Sequence, residues 1–114
     1  MTLCVAGMAL AVSTFTLDWQ HSVARTTWWE RWEVTAEGLA PVEARITGLG
    51  AGMEPPPEAR READGWHWSP RVPPQREVVL STSGATGGGW RLCADGACFD
   101  LPETGRPLVL SACD

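Results

Sequence analysis

Proline and glycine interrupt this chain so often that no segment longer than about ten residues keeps the 3.6-residue period of a helix. The 114 residues include 12 glycines and nine prolines. Short strands at close spacing predict an all-β fold, a small antiparallel β-sandwich or partly open barrel of about eight to ten strands. Residues 57–63 form the only segment that could be a helix, and they are too few to be helical in isolation. The strand-like runs are at positions 2–6, 9–12, 15–23, 26–35, 39–47, 66–68, 77–82, 90–94, 97–101 and 108–112.

The length and the charge of the chain narrow the classes of protein to which it can belong. With 114 residues, 44% of them apolar, the chain is expected to form one domain, residues 1–114, with a core that needs no metal. The net charge of −5 argues against a nucleic-acid partner, because proteins that bind the phosphate backbone usually present a basic surface. No apolar run approaches the roughly 20 residues of a membrane-spanning helix, so direct membrane insertion is not expected.

The segment LDWQHSVARTTWWERWEV, residues 17–34, predicts a hairpin rich in tryptophan. Side chains alternate between the two faces of a strand. A turn centred on Ala24-Arg25 would place His21 opposite Trp28. Trp19 would then lie opposite Glu30, and His21 and Glu30 would be diagonal neighbours. The pattern therefore puts a histidine and a carboxylate on an apolar face, which comprises Phe15, Leu17, Trp19, His21 and Val23 from the first strand and Trp28, Glu30, Trp32 and Val34 from the second.

This placement allows several interpretations of His21 and Glu30. A buried carboxylate needs a partner, so the two are expected to form a hydrogen bond that pins the hairpin or a functional polar pair at the edge of an apolar cavity. In a small enzyme, His21 would be a general base oriented by Glu30. Ser22 points to the opposite face from His21, which argues against a serine nucleophile. Two ligands do not make a metal site, His67 and Glu54 could add a third only by assumption, and no cofactor is expected.

The seven tryptophans of the chain allow two further interpretations. Their amphipathic rings could form a platform that stacks on sugars, as in a tryptophan-lined carbohydrate-binding module. Four of the seven lie in the one hairpin, however, and this concentration favours packing in the core. Trp29 falls on the polar face of its strand, and it is therefore the tryptophan expected to contact a partner or to cover a second sheet.

The segment GLGAGMEPPPEARREADG, residues 48–65, is long for a loop in a compact domain, and such loops are often functional. Gly50 and Gly52 would allow a partner to approach the backbone closely, and Met53 would supply an adaptable apolar contact beside Glu54. The alternative is a tight turn closed by the three prolines at 55–57. The glycine-rich residues 83–89 lack the lysine and the strand–helix setting of a phosphate-binding loop, so they are expected to be a connector.

The segment LCADGACFDL predicts a second hairpin, because Asp95-Gly96 is a favoured type I′ turn between apolar strand residues. In this hairpin Cys93 faces Cys98 at a spacing compatible with a cross-strand disulfide. Cys4 and Cys113 form the second predicted disulfide, since strands near the two ends of a chain often lie close together. Four cysteines allow three connectivities, and in a reducing compartment all four would be free thiols. Disulfides indicate the periplasm, whereas the absence of a signal peptide indicates the cytoplasm.

Three stretches carry a resemblance to a known family: FTLDWQHSVARTTWWERWEV, GAGMEPPP and LSTSGATGGGWRLCADGACFDL. In their order and spacing they resemble the bacterial domain-of-unknown-function family eighteen-fifty, over residues 3–101. Ala24 stands where members of that family also have a glutamate, so one acidic contact of the family is missing here. The most specific matches are His21-Ser22-Val23, the basic residue Arg25, the acid Glu30 and the Gly-Ala-Gly-Met motif of residues 50–53.

The resemblance implies a role in transport. Members of that family are commonly encoded beside tripartite ATP-independent periplasmic (TRAP) transporters of the TAXI type, and many carry an export or anchor segment. By resemblance, this chain is expected to be a binding or accessory module whose partner is the transporter permease or its solute-binding protein. No catalytic residue and no ligand is implied. The expected contact site comprises His21, Ser22, Arg25, Glu30, Gly50, Gly52, Met53 and Glu54.

Overall fold

The computed structural model describes residues 1–21, 26–47, 55–63, 65–81, 89–102 and 105–113, without the side chains of Gln20, His21 and Thr26. Within these residues the chain has no helix and forms eleven strands. The strands are β1 (Leu3–Val5), β2 (Met8–Leu10), β3 (Thr14–His21), β4 (Thr26–Thr35), β5 (Gly38–Thr47), β6 (Arg60–Glu62), β7 (Gly65–Trp68), β8 (Glu77–Leu80), β9 (Trp90–Ala94), β10 (Ala97–Asp100) and β11 (Leu108–Ala112).

The strands form two antiparallel sheets, which confirms the prediction of an all-β, sandwich-like fold. A four-stranded sheet has the order β2-β1-β11-β8, and a seven-stranded sheet has the order β10-β9-β3-β4-β5-β7-β6. Ten of the eleven strands lie where the alternating pattern predicts them. The additional strand is β6, in the segment predicted as the only possible helix. Its three residues pair with β7, because so short a segment gains more from a sheet ladder than from an isolated helical turn.

The two sheets bury one apolar core between them. Leu3 and Leu110 of the four-stranded sheet and Leu17 and Leu92 of the seven-stranded sheet are fully buried in it. Buried and half-buried residues alternate in β1, where Cys4 lies between Leu3 and Val5, as expected for a sheet with one apolar inner face and one more polar outer face. The core comprises Leu3, Val5, Val12, Phe15, Leu17, Trp32, Val34, Leu39, Leu80, Leu92, Leu101 and Leu110.

A close backbone contact ties the start of β5 to the segment that leads into β8. The amide of Leu39 donates to the carbonyl oxygen of Gln75 at 2.7 Å, and the amide of Gln75 donates back to Leu39 at 2.9 Å. Gly38 makes this approach possible, because a Cβ at that position would lie 2.4 Å from the Gln75 oxygen. The two sheets are therefore joined at this corner by backbone hydrogen bonds as well as by the core.

Both predicted disulfides are present. Cys4 in β1 is bonded to Cys113, just after β11, with Cα atoms 5.8 Å apart. Cys93 is bonded to Cys98 directly across the β9–β10 hairpin, with Cα atoms 4.0 Å apart. The turn of that hairpin has positive φ at Asp95 and Gly96, as a type I′ turn requires. All four cysteines are therefore disulfide-bonded.

Candidate functional site

A row of five side chains, four of them tryptophans, crosses five strands of the seven-stranded sheet on its inner face. Residues paired across neighbouring strands point to the same face, and the register aligns four tryptophans in this way. The rings of Trp19 and Trp90 stack with their centroids 6.2 Å apart. We refer to the row as the aromatic row; in sheet order it comprises Trp90, Trp19, Trp28, Ile46 and Trp66.

The neighbouring row of the same face contains one acidic residue among apolar ones. In sheet order this row is Leu92, Leu17, Glu30, Ala44 and Trp68. Its four apolar members are buried, with at most 8% of any of them exposed. Glu30 is half-buried, and it lies in the middle of the row. The sequence prediction that Glu30 belongs to the tryptophan-lined inner face is therefore correct.

Tryptophan side chains on either side of Glu30 along β4 are its polar partners. The Nε1–H of Trp32 donates to Oε1 of Glu30 at 3.4 Å, and the indole of Trp28 also hydrogen-bonds to the carboxylate. Burial nevertheless raises the pKa of Glu30, because the two indole hydrogen bonds stabilise the charged form less than desolvation penalises it. In the part of the chain that the structure describes, no cationic side chain lies within ion-pair distance of Glu30.

A second, smaller apolar cluster lies beside Glu30, away from the main core. Trp28 and Trp68 meet edge to face in this cluster, with ring centroids 5.6 Å apart. None of its described members belongs to the four-stranded sheet; the one contribution from outside the seven-stranded sheet is Ala59. This end of the inner face is therefore packed differently from the main core. The cluster comprises Ala44, Ile46 and Trp68, with Trp28, Ala59 and Trp66 packed against them.

The predicted register of the β3–β4 hairpin is wrong by two residues. Trp19 pairs with Trp28, and Glu30 pairs with Leu17. His21 pairs with Thr26 and lies four residues from the partner of Glu30, about 13 Å along the strand. A shift of two keeps every residue on its predicted face but removes the diagonal pairing of His21 with Glu30. The reason is that residues 22–25 connect the strands, whereas Ala24-Arg25 alone is an unfavourable two-residue turn.

The other predicted contact residues belong to residues 22–25 and 48–54. Ser22, Arg25, Gly50, Gly52, Met53 and Glu54 fall outside the described residues. The strand ends that flank them are described: Thr27 in β4 pairs with Thr47 at the end of β5. The start of β4 and the end of β5 therefore lie at the same end of the sheet, one position beyond the aromatic row.

The outer face of the same sheet carries a charged cluster that the sequence did not predict. Glu43 accepts hydrogen bonds from Arg31 Nε and Arg45 Nη2, both at 3.2 Å. The Nε2 atom of His67 lies 2.8 Å from Glu43 Oε2, and its Nδ1 atom lies 3.2 Å from Glu62 Oε1. Both ring nitrogens are closed to solvent, and neither contact has hydrogen-bond geometry. His67 therefore lies between two carboxylates, and each carboxylate is at ion-pair distance from a different ring nitrogen.

Electrostatics distinguish Glu43 from Glu30. Partial burial would by itself raise the pKa of Glu43, but hydrogen bonds from Arg31 and Arg45, with the charges of Arg45 and His67, lower it below its usual value. Glu43 and Glu62 contact different nitrogens of His67, so the three groups do not converge on one point. Accordingly, no group of three or more His, Cys, Asp or Glu within the described ranges could hold a metal ion.

Trp29, the tryptophan expected to contact a partner, lies on the outer face as predicted. The guanidinium of Arg45 lies 5.3 Å from its ring centroid, in a cation–π arrangement. Glu43 and Arg45 alternate along β5, a signal that both face outward, but their contact with His67 depends on the pairing of β5 with β7. That pairing joins residues on either side of the 48–64 segment, and the local pattern does not predict it.

One family model matches the chain. It is described as "Domain of unknown function (DUF1850)", and it matches residues 15–101, which is well over half of the chain. The matched range includes β4 to β10 and all of β3 except Thr14, and with them the aromatic row and both carboxylates described above. No curated protein and no solved structure matches the chain. In the described part of the chain, no helix is long and apolar enough to cross a membrane.

Proposed function

The chain belongs to the DUF1850 family, and we propose that it is a β-sandwich binding module that acts as an accessory protein of a TAXI-type TRAP transporter. Its partner is the transporter permease or the solute-binding protein. The link to this class of transporter comes from the resemblance described under Sequence analysis, and it implies a periplasmic location. The binding role comes from the side chains themselves.

The observation that supports a binding role is the position of Glu30. A carboxylate on an apolar sheet face destabilises the folded state unless it is paired or protonated. A residue that serves only the core would be apolar at this position, as Leu17 and Ala44 are on either side of it. The row of tryptophans next to Glu30 supplies large amphipathic rings of the kind that are enriched at binding surfaces.

The strand ends that flank the predicted contact residues are compatible with one site. The segments that contain His21-Ser22, Arg25 and residues 50–54 are joined to strand ends next to the aromatic row. A partner that contacted those strand ends would lie next to Trp19 and Trp28 of the row. The proposed site therefore combines Glu30 and the aromatic row with the two segments.

The test is solute uptake in a strain that lacks the native gene and is complemented with variants. Glu30→Gln and His21→Ala are expected to lower transporter-dependent uptake while the protein remains folded. The matched control is Glu33→Gln, which changes an exposed glutamate on the same strand but on the outer face and is expected to restore full uptake. Full uptake with the first two variants, at equal protein levels, would show that this site has no role in transport.

A second measurement addresses the partner. The tagged protein is captured from gently solubilised membranes and probed for the permease and the solute-binding protein with specific antibodies. We expect the wild-type protein to enrich the permease or the solute-binding protein, and we expect Glu30→Gln to lose this enrichment. Recovery of neither, with the protein in the soluble fraction, would contradict the accessory role.

The aromatic row also favours a second candidate, a carbohydrate-binding module. Tryptophans aligned across neighbouring strands offer successive stacking surfaces for sugar rings. A glycan titration monitored by tryptophan fluorescence tests this candidate, because Trp19, Trp28, Trp66 and Trp90 are half-buried and would report on a stacked sugar. A flat response across a glycan panel would exclude it.

A further inference from the structure

We propose that Glu30, with the rings of Trp19 and Trp28, binds a small organic ammonium ion. This inference rests on the proposed binding role of the same face, and it names the class of ligand. The three side chains are neighbours in the sheet. Trp28 lies two residues before Glu30 on β4, and Trp19 pairs with Trp28, so that it is diagonal to Glu30.

Charge complementarity favours a cation beside Glu30. Glu30 is the acidic member of a row that is otherwise apolar. Its described polar partners are two indole N–H groups, which are neutral donors. A cation placed against the carboxylate would compensate the desolvation that burial imposes on it. A neutral or anionic ligand would leave that charge uncompensated.

The tryptophan rings beside Glu30 also favour a cation. The face of an indole ring attracts cations, and tryptophan does so most strongly among the aromatic residues. The sequence places several tryptophans around Glu30, and the fold brings the rings of Trp19 and Trp28 to its side of the sheet. A carboxylate combined with tryptophan rings is the chemistry by which quaternary ammonium groups are recognised.

A cation already contacts the aromatic row. The guanidinium of Arg61 lies 5.6 Å from the ring centroid of Trp66, at the end of the row away from Trp19. This contact shows that one ring of the row, that of Trp66, accepts a cationic group in the folded protein. Trp28 and Glu30 lie two strands away from Trp66, on the other side of β5.

The binding test compares choline with its uncharged isostere 3,3-dimethylbutan-1-ol, by calorimetry or tryptophan fluorescence. The two molecules have nearly the same shape, so a difference in affinity measures the contribution of the charge. Choline is expected to bind at least about tenfold more tightly, in line with a partly desolvated cation–π contact reinforced by an ion pair. Equal affinity for the two, or no binding of choline, would overturn the proposal.

A variant pair assigns the effect to Glu30. Glu30→Gln keeps the shape of the side chain and is expected to reduce the preference for choline to about threefold or less. Glu33→Gln, on the outer face, is expected to keep the full preference. An unchanged preference in a folded Glu30→Gln protein would exclude Glu30 from the site.

The pH dependence is an independent readout. Because the ammonium ion binds the charged carboxylate, its binding releases a proton from Glu30 when that group is protonated in the free protein. Choline affinity is therefore expected to rise as the pH increases through the pKa of Glu30, whereas the affinity of the uncharged isostere stays constant. A choline affinity that does not change with pH would contradict the role of Glu30.

The outcomes distinguish this inference from the proposed function. If uptake requires Glu30 but choline does not bind, the ligand class is wrong and the accessory role stands. If choline binds but uptake is independent of the protein, the site stands and the transporter role is wrong.

Discussion

Glu30 lies directly opposite Leu17 across β3 and β4, and Leu17 is fully buried. An ionisable residue is thus paired with one of the most buried residues of the core. Ala44, the partner of Glu30 on the other side, is 1% exposed. The charge of Glu30 therefore destabilises the folded state.

Glu30→Gln is expected to stabilise the protein at pH 7. The pKa of Glu30 is raised in the folded state, so folding favours the protonated form of this carboxyl group over the charged form. Below the unfolded-state pKa, about 4.3, both states are protonated and the variant has no advantage. As the pH rises through the folded-state pKa, the wild type loses stability and the variant does not. Urea unfolding at a series of pH values measures this, and a less stable variant at pH 7 would contradict it.

Glu43→Gln is expected to act in the opposite direction. The arginines and His67 lower the pKa of Glu43 in the folded state, so its charge stabilises the fold above the unfolded-state pKa. The variant should lose about 1 kcal/mol at pH 7, because these ion pairs are partly exposed to solvent. The difference should vanish as the pH falls through the folded-state pKa. Glu37→Gln, at an exposed position, is the control and should change stability by less than about 0.5 kcal/mol.

Gly65→Ala is expected to destabilise the pairing of β5 with β7. A Cβ at Gly65 would lie 1.8 Å from the carbonyl oxygen of Ile46, so the backbone of one strand must move. We expect a loss of about 3 kcal/mol, the upper part of the range for overpacking. At Gly96, by contrast, φ is +79° and a Cβ meets nothing within 4 Å, so Gly96→Ala should cost only about 1–2 kcal/mol of backbone strain. Thermal denaturation of the two variants compares them directly.

The two disulfides are expected to differ in their contribution to stability. Cys4 and Cys113 are 109 residues apart in sequence, whereas Cys93 and Cys98 are five apart. Loop-closure entropy predicts a loss of about 5 kcal/mol when the first is replaced by alanines and about 2 kcal/mol for the second. Denaturant unfolding of the two double variants under non-reducing conditions tests the order. A larger loss for the shorter loop would contradict the entropic account.

The sequence predicts the fold better than it predicts the contacts around the site. Alternation of apolar residues places ten strands and puts Glu30 on the inner face, and the Asp95-Gly96 turn predicts the pairing of Cys93 with Cys98. Alternation cannot distinguish registers that differ by two residues, because both keep each side chain on its face. For this reason the pairing of His21 with Glu30 was wrong although the face was right.

The features that the sequence did not predict depend on non-local pairing. The residues of β6 are arginine, arginine and glutamate, so no apolar alternation marks them as a strand. They form one only because β7 offers a free edge. The contact of His67 with Glu43 likewise requires β7 to pair with β5, from which residues 48–64 separate it in the chain. Local sequence patterns do not predict which distant strand β6 or β7 pairs with.

The bond between Cys4 and Cys113 has a mechanical consequence. Cys4 belongs to β1 and Cys113 follows β11, and these strands are neighbours in the four-stranded sheet. Any polypeptide attached before Cys4 or after Cys113 leaves the sandwich from the same place. A pulling force between two such attachments would pass through the sulfur–sulfur bond instead of through the sheets. While the bond is intact, the β-sandwich between these cysteines is shielded from tension, and reduction would expose it to the load.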